Sequence, residues 1–101
     1  MNLDFKGYNV IVTGGTRGIG KAISEAFLNN GASVTATFCG NETAAENFRR
    51  TWLNHPLDVV KFDISDYQET ELFFQKFDKE NKSLEVLVNN AGIRKDNVLG
   101  M

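Results

Sequence analysis

Apolar and polar positions along the chain follow two different periods, and the period switches at regular intervals. Val10, Ile11 and Val12 form an unbroken β-branched run, apolar on both sides of a pleat, which predicts a strand over 9–13 buried on both faces. After a glycine-rich turn the period changes. Ile19, Ala22, Ile23, Ala26 and Phe27 recur at i, i+3, i+4, i+7 and i+8, one stripe of an α-helix over 18–30. Asn30 and Gly31 supply its stop, Gly31 being free to turn left-handed. A second strand is predicted over 33–38. In the following GNETAAENFRRTW, Thr43 and Glu46 have capping-box spacing, and Ala45, Phe48 and Trp52 follow at helical spacing. His55 and Pro56, the only proline, make a break before a third strand over 59–62. Ser65 and Gln68 repeat the capping-box pattern and open a helix carrying Leu72, Phe73, Phe74 and Phe77. Val86, Leu87 and Val88, with Leu84 just before them, form a fourth strand that ends in NNAGI.

The order is βαβαβαβ, with connections long enough for right-handed crossovers, which predicts an α/β fold: a parallel sheet with helices on both faces. No linker, low-complexity tract or domain boundary interrupts it, and the three βα units are not a sequence repeat. DNVLG at 96–100 reads like the start of another helix. A fourth strand with no long helix after it leaves an apolar parallel edge in need of a partner. The expectation is that residues 1–101 are the N-terminal part of a larger dinucleotide-binding domain, or that the chain assembles with another.

Composition narrows the function classes. The chain has 101 residues, 42% of them apolar and 24% charged, enough for one small globular domain with one core. A net charge of −2 gives no broad basic field for nucleic acid or an anionic membrane. Cys39 is the single cysteine, so no internal disulfide forms, and a reducing, cytoplasmic compartment is expected. Met1-Asn2-Leu3-Asp4-Phe5 is not a signal peptide, and no stretch is apolar enough to span a bilayer.

Candidate chemistry sits where strands end. Gly14-Gly15-Thr16-Arg17-Gly18-Ile19-Gly20 joins a strand to a helix, where unpaired backbone N–H groups carry positive partial charge and suit a phosphate. Gly14 allows the tight turn, Gly18 lets the backbone approach a phosphate, and Gly20 lets the helix pack close to the strand. A turn that merely needs glycines is the plainer alternative. Asp63, at the end of the third strand in KFDIS, can accept a hydrogen bond from an adenine amino group; it can equally serve as a helix cap. Asn89-Asn90-Ala91-Gly92 offers small residues against which a flat ligand can lie, or an ordinary turn. Three strands of one sheet thus each finish in a motif suited to one ligand. Other residues have bland readings. His55 is alone and no metal site is expected, Cys39 reads as a small buried hydrophobe, Trp52 and the phenylalanines as core, and Lys79, Glu80 and Lys82 as a solvated helix end.

TGGTRGIG, FDIS and NNAG, in this order and spacing, resemble the short-chain dehydrogenase/reductases across the whole chain, and NNAGIRKDNVLGM is most similar to the 3-oxoacyl-[acyl-carrier-protein] reductases and related acetoacetyl-CoA reductases. The resemblance implies a Rossmann-type sheet with strand order 3-2-1-4. It implies that Gly14, Thr16, Arg17, Gly18, Ile19 and Gly20 hold the pyrophosphate and adenosine ribose, that Asp63 and Ile64 flank the adenine, and that Asn90, Ala91 and Gly92 line the ribose and nicotinamide end. Cofactor choice follows from charge. Thr37-Phe38-Cys39, after the second strand, holds no carboxylate to repel a 2′-phosphate, and the Arg17 guanidinium can pair with one, which favours NADP(H). The implied activity is NADPH-dependent reduction of a 3-oxoacyl thioester to the 3-hydroxyacyl product, of the fatty-acid biosynthesis type. The implied partners are a small-molecule or carrier-bound acyl substrate and other copies in a homo-oligomer, or the remaining polypeptide. The family's catalytic Tyr-x-x-x-Lys is absent: Val12 follows Tyr8 at i+4, Glu71 follows Tyr67, and Ser83 precedes the fourth strand, so no catalytic residue is assigned and the 101 residues alone are expected to be inactive. The alternatives are a non-catalytic NADP-binding or interaction module, and a reductase of another carbonyl or alcohol.

Overall fold

The run at 10–12 lies at the centre of a four-stranded sheet, and its side chains are 1% exposed or less. The computed structural model describes residues 4–80 and 83–91. In chain order the elements are β1 (Asn9–Thr13), α1 (Gly18–Asn29), β2 (Ser33–Phe38), α2 (Glu42–Thr51), β3 (Leu57–Lys61), α3 (Tyr67–Lys79) and β4 (Val86–Asn89). The sheet order is β3-β2-β1-β4 and every pairing is parallel, with Ile11 opposite Thr35 on one side and Leu87 on the other. This is the Rossmann-type 3-2-1-4 arrangement that the family resemblance implies.

Alternation along the strands divides the core between two faces. Val10, Val12, Val34 and Ala36 face α1 and α2, where Leu28, Ala32 and Phe48 complete a buried cluster. Each of these large side chains contributes about 1.5–3 kcal/mol by leaving water. On the other face Phe73 of α3 stacks on Phe62 at 4.6 Å between ring centres, and Thr35, Val60, Phe73 and Phe77 line a cavity of about 250 Å³.

Several local expectations are corrected. The inward stripe of α1 is Gly20, Ser24 and Leu28, with Ile23 and Phe27 beside it; Ile19, Ala22 and Ala26 face out. Neither capping box forms. Asn41, left-handed at φ 53°, caps α2 through the Ala44 N–H, and Asp66 caps α3 through the Glu69 N–H. β3 starts earlier than expected, because the Pro56 carbonyl already accepts the Val34 N–H and the ladder runs on from there. Cys39 is exposed, since β2 ends at Phe38. Trp52 is only half-buried, with its indole N–H donating to Glu25 at 3.1 Å. Leu72 is exposed on α3. Gly31 follows the end of α1 at φ 94°, as its stop requires. Gly92, Lys82 and the helix start at 96–100 lie outside the described residues.

The β1–β4 pair is fastened where the strands begin. The Glu85 N–H donates to the Asn9 carbonyl at 3.1 Å, and the Glu85 carboxylate accepts the Asn9 N–H at 2.6 Å. That amide first, and the Ser83 hydroxyl second, hold the Glu85 carboxyl below the ordinary carboxylate range. A carboxyl lowered in the folded state contributes stability above its unfolded value, and loses it as pH falls through the folded one. Glu85→Gln is therefore expected to flatten the acid limb of a melting-temperature curve against pH, modestly because the group is exposed. An identical acid limb in the variant would refute the assignment.

Candidate functional site

A parallel sheet puts every strand's carboxyl end on one edge. After β3 the chain crosses back to place β4 on the far side of β1, so the order reverses between β1 and β4, the position where open α/β sheets bind ligands. The three strand-end motifs therefore lie along one edge. Hydrogen bonds link neighbouring ends. The Asn90 side chain donates to the Gly14 carbonyl at 3.1 Å, the Gly15 N–H to the Thr37 carbonyl at 3.1 Å, and the Phe62 N–H to the Phe38 carbonyl at 3.0 Å.

The glycines hold distinct places in this edge. Gly14 turns the chain at φ 65°, and a β-carbon there would meet Asn90 and Ala91 at 3.1–3.3 Å. Gly18 is also left-handed, at φ 57°, but faces open space, as a ligand-facing position needs. Gly20 lies against the turn itself: a β-carbon would fall 1.9 Å from the Gly14 carbonyl oxygen. Thr16 is buried, whereas Arg17, extended at the N-cap of α1, and Ile19 are exposed at the mouth of the turn. No side chain caps α1 and no acid lies in its first turn, so the positive end of its dipole is not neutralised locally.

The edge along β2 and β3 is free of an opposing carboxylate at the expected place. Thr37 is buried, with its carbonyl holding the glycine turn, and Cys39 is exposed. Glu42, the first acid after β2, pairs with Lys61 at the end of β3. The hydrogen bond and charge of Lys61 lower the Glu42 carboxyl, and Glu42 raises Lys61. Asp63 accepts the Ser65 N–H at 2.9 Å and the Ser65 hydroxyl at 2.6 Å, shaping the turn into α3, and Ile64 beside it is half-buried.

Sequence reasoning overlooked two polar supports. The Thr13 hydroxyl lies as donor 3.3 Å from both the Val88 carbonyl and the Asn89 side chain, and accepts the Ala91 N–H at 3.0 Å. It thereby joins the ends of β1 and β4. Ser24, fully buried, donates to the Gly15 carbonyl at 3.0 Å. The available signals were a threonine closing a buried strand and a serine one turn after Gly20.

A cavity of about 480 Å³ lies elsewhere, lined by Phe74, Phe77 and Leu84 with Glu71, Gln75 and Asp78. It belongs to the later part of α3 and the approach to β4, and carries none of the strand-end motifs, so the chemistry favours the other edge. Among the described residues no group of three or more His, Cys, Asp or Glu could hold a metal, and no helix is long and apolar enough to cross a membrane. His55 is exposed, edge-on to Trp52.

Comparison with known proteins points the same way. The family model described as short chain dehydrogenase matches residues 8–100. The chain is 42% identical over 86 residues to an acetoacetyl-CoA reductase of Shinella zoogloeoides, covering 85% of this chain and 34% of that protein. It is 41% identical over 101 residues to the 3-oxoacyl-[acyl-carrier-protein] reductase FabG of Chlamydia pneumoniae, covering 98% and 40%. A solved Bacillus thuringiensis structure, assigned as a 3-oxoacyl-reductase, superposes with a TM-score of 0.76 at 27% identity, covering 82% of this chain and 35% of that one. The chain thus spans 34–40% of the length of the two relatives.

Proposed function

The chain belongs to the short-chain dehydrogenase family, oxidoreductases that use NAD(P)H, and from that premise we propose that it forms the cofactor-binding part of an NADPH-dependent reductase. The reaction is reduction of a 3-oxoacyl thioester to the 3-hydroxyacyl product, as in fatty-acid biosynthesis. The observation that carries this reading is the meeting of the glycine turn, the acid-free end of β2 and the NNA loop on one sheet edge, tied by Asn90 to Gly14.

The residues present fit a dinucleotide. The turn leaves open space at Gly18, and the uncapped end of α1 offers amide hydrogens and positive potential to a diphosphate. Gly14, Thr16, Gly18, Ile19 and Gly20 would form that grip. Thr37 and Arg17 would meet the adenosine ribose and its 2′-phosphate. Asp63 and Ile64 would flank the adenine, and Asn90, Ala91 and Gly92 would line the nicotinamide end. A bound nicotinamide supplies the hydride. The protein's own contribution is to orient that ring and keep its approach fixed, through the Thr13 and Asn90 ties between β1 and β4. Neither Tyr8 nor Tyr67 has a lysine at i+4, so the proton donor to the developing alkoxide is not assigned to this chain. A cytoplasmic location and assembly as a homo-oligomer, or with further polypeptide, belong to the same proposal.

One observation favours a second reading. β4 ends the described sheet with Leu87 50% exposed and Leu84 40% exposed, an edge suited to pairing with another chain. In that reading the protein binds NADPH without turnover and acts as an interaction module. Fluorescence titration with NADPH, followed by NADPH consumption on adding acetoacetyl-CoA, separates the two. Saturable binding is expected, without consumption by residues 1–101 alone, which carry no Tyr-x-x-x-Lys pair, and with thioester-dependent consumption once the polypeptide that supplies the proton donor is present. Binding without consumption even with that polypeptide selects the interaction module, and failure to bind either NADPH or NADH overturns both.

A further inference from the structure

We infer that Ser24 is a positioning residue that fixes the glycine turn for its diphosphate, an assignment that rests on the dinucleotide reading above. A serine inside a helix ordinarily turns its hydroxyl to solvent or back to the carbonyl four residues earlier. Ser24 does neither. It is fully buried, and its hydroxyl leaves the helix to reach the Gly15 carbonyl, nine residues back, at 3.0 Å. The approach is close enough that a β-carbon on Gly15 would sit 2.7 Å from the Ser24 oxygen. Gly15 has no room for a side chain, since the Val12 carbonyl oxygen at 2.8 Å and the Ala36 β-carbon at 3.0 Å crowd the same place.

Gly15 is held at both polar ends, because its N–H donates to the Thr37 carbonyl at 3.1 Å. Its carbonyl shares a planar trans peptide with the Thr16 N–H, and in such a unit the two groups point in opposite directions. Drawing the carbonyl towards Ser24 thus aims the next amide away from α1. Ser24 in this way sets the direction of backbone dipole in the turn without touching a ligand. Its removal leaves a buried carbonyl short of one partner and lets that peptide rotate.

The test compares wild-type protein with Ser24→Ala, Ser24→Cys and Ser24→Thr. Dissociation constants for NADPH and NADH are measured well below the melting temperature, with melting curves alongside. Alanine and the similarly sized, weakly donating cysteine are expected to weaken both dinucleotides by about tenfold. Threonine, which keeps the hydroxyl, is expected to bind like wild type. Because the diphosphate is common to both ligands, their affinity ratio should not move. A purely structural hydroxyl would lower the melting temperature and leave affinities of the folded protein unchanged; that result overturns the assignment. So does wild-type affinity in the cysteine variant, which would make volume the determinant. If the wild-type protein binds neither dinucleotide, the underlying reading fails rather than the role of Ser24 alone.

Discussion

Gly20→Ala is expected to destabilise the protein by about 3 kcal/mol and to abolish measurable dinucleotide binding. The usual expectation is the reverse, since alanine in a helix is about 1 kcal/mol better than glycine. Here the new β-carbon would lie 1.9 Å from the Gly14 carbonyl oxygen, 2.8 Å from its carbon and 2.7 Å from the Asn90 side-chain nitrogen. Two of those atoms are backbone and cannot swing aside. Relief requires α1 to withdraw from the end of β1, which breaks the 3.1 Å bond between Asn90 and Gly14 and opens the edge. Gly18→Ala is the control. It meets nothing within 4 Å and carries only the strain of φ 57°, about 1–2 kcal/mol. Urea denaturation of both variants checks the ordering of stability, and NADPH titration of Gly20→Ala checks the loss of binding. A Gly20→Ala protein that melts and binds like wild type would mean that α1 does not rest on the turn as described.

The same glycine explains what in the fold was legible from the residues. The change from a β-branched run to helical spacing across 14–20 revealed the strand, the turn and the helix, and the repeated alternation revealed the parallel sheet. The inward stripe of α1 was not legible from hydropathy. Close packing at Gly20 turns Gly20 and Ser24 toward the sheet, and neither scores as apolar, while Ile19 scores highly and lies 75% exposed at the mouth of the turn. Apolar spacing thus assigned to the core a residue that the site displays. The caps failed for a related reason. Thr43 and Ser65 have the right spacing, but Asn41 and Asp66 accept from the helix amides two residues earlier or one residue later, and Ser65 is already engaged by Asp63. Several residues compete for each cap, and only the path of the incoming chain decides between them.

For the site, motif positions were readable because parallel strands bring their carboxyl ends together whatever the loop details. The supports were not. Thr13 and Ser24 act through contacts 75–78 and 9 residues away, distances over which local pattern carries no information. The exposure of Cys39 has the same origin, since it depends on β2 stopping at Phe38.

Arg17→Glu is expected to lower NADPH affinity by about 100-fold while changing NADH affinity severalfold at most. The wild-type edge offers a 2′-phosphate one exposed guanidinium and no opposing carboxylate at 37–39, with Glu42 already occupied by Lys61. Reversing the charge removes an attraction of about 1.5–3 kcal/mol and adds a repulsion that the 2′-hydroxyl of NADH does not feel. Unfolding does not account for such a loss, because an acid at a helix N-terminus favours the dipole and α1 has none in its first turn. The diphosphate, common to both cofactors, feels the new carboxylate in equal measure, so the affinity ratio isolates the 2′ position. Arg17→Ala should give the intermediate case, with the NADPH preference reduced about tenfold and no repulsion. Raising the ionic strength should shrink the difference between wild type and Arg17→Glu, since the pair is solvent-exposed. Equal NADPH:NADH ratios in wild type and both variants would show that Arg17 does not meet the 2′-phosphate, and would leave the choice of NADPH without its physical basis.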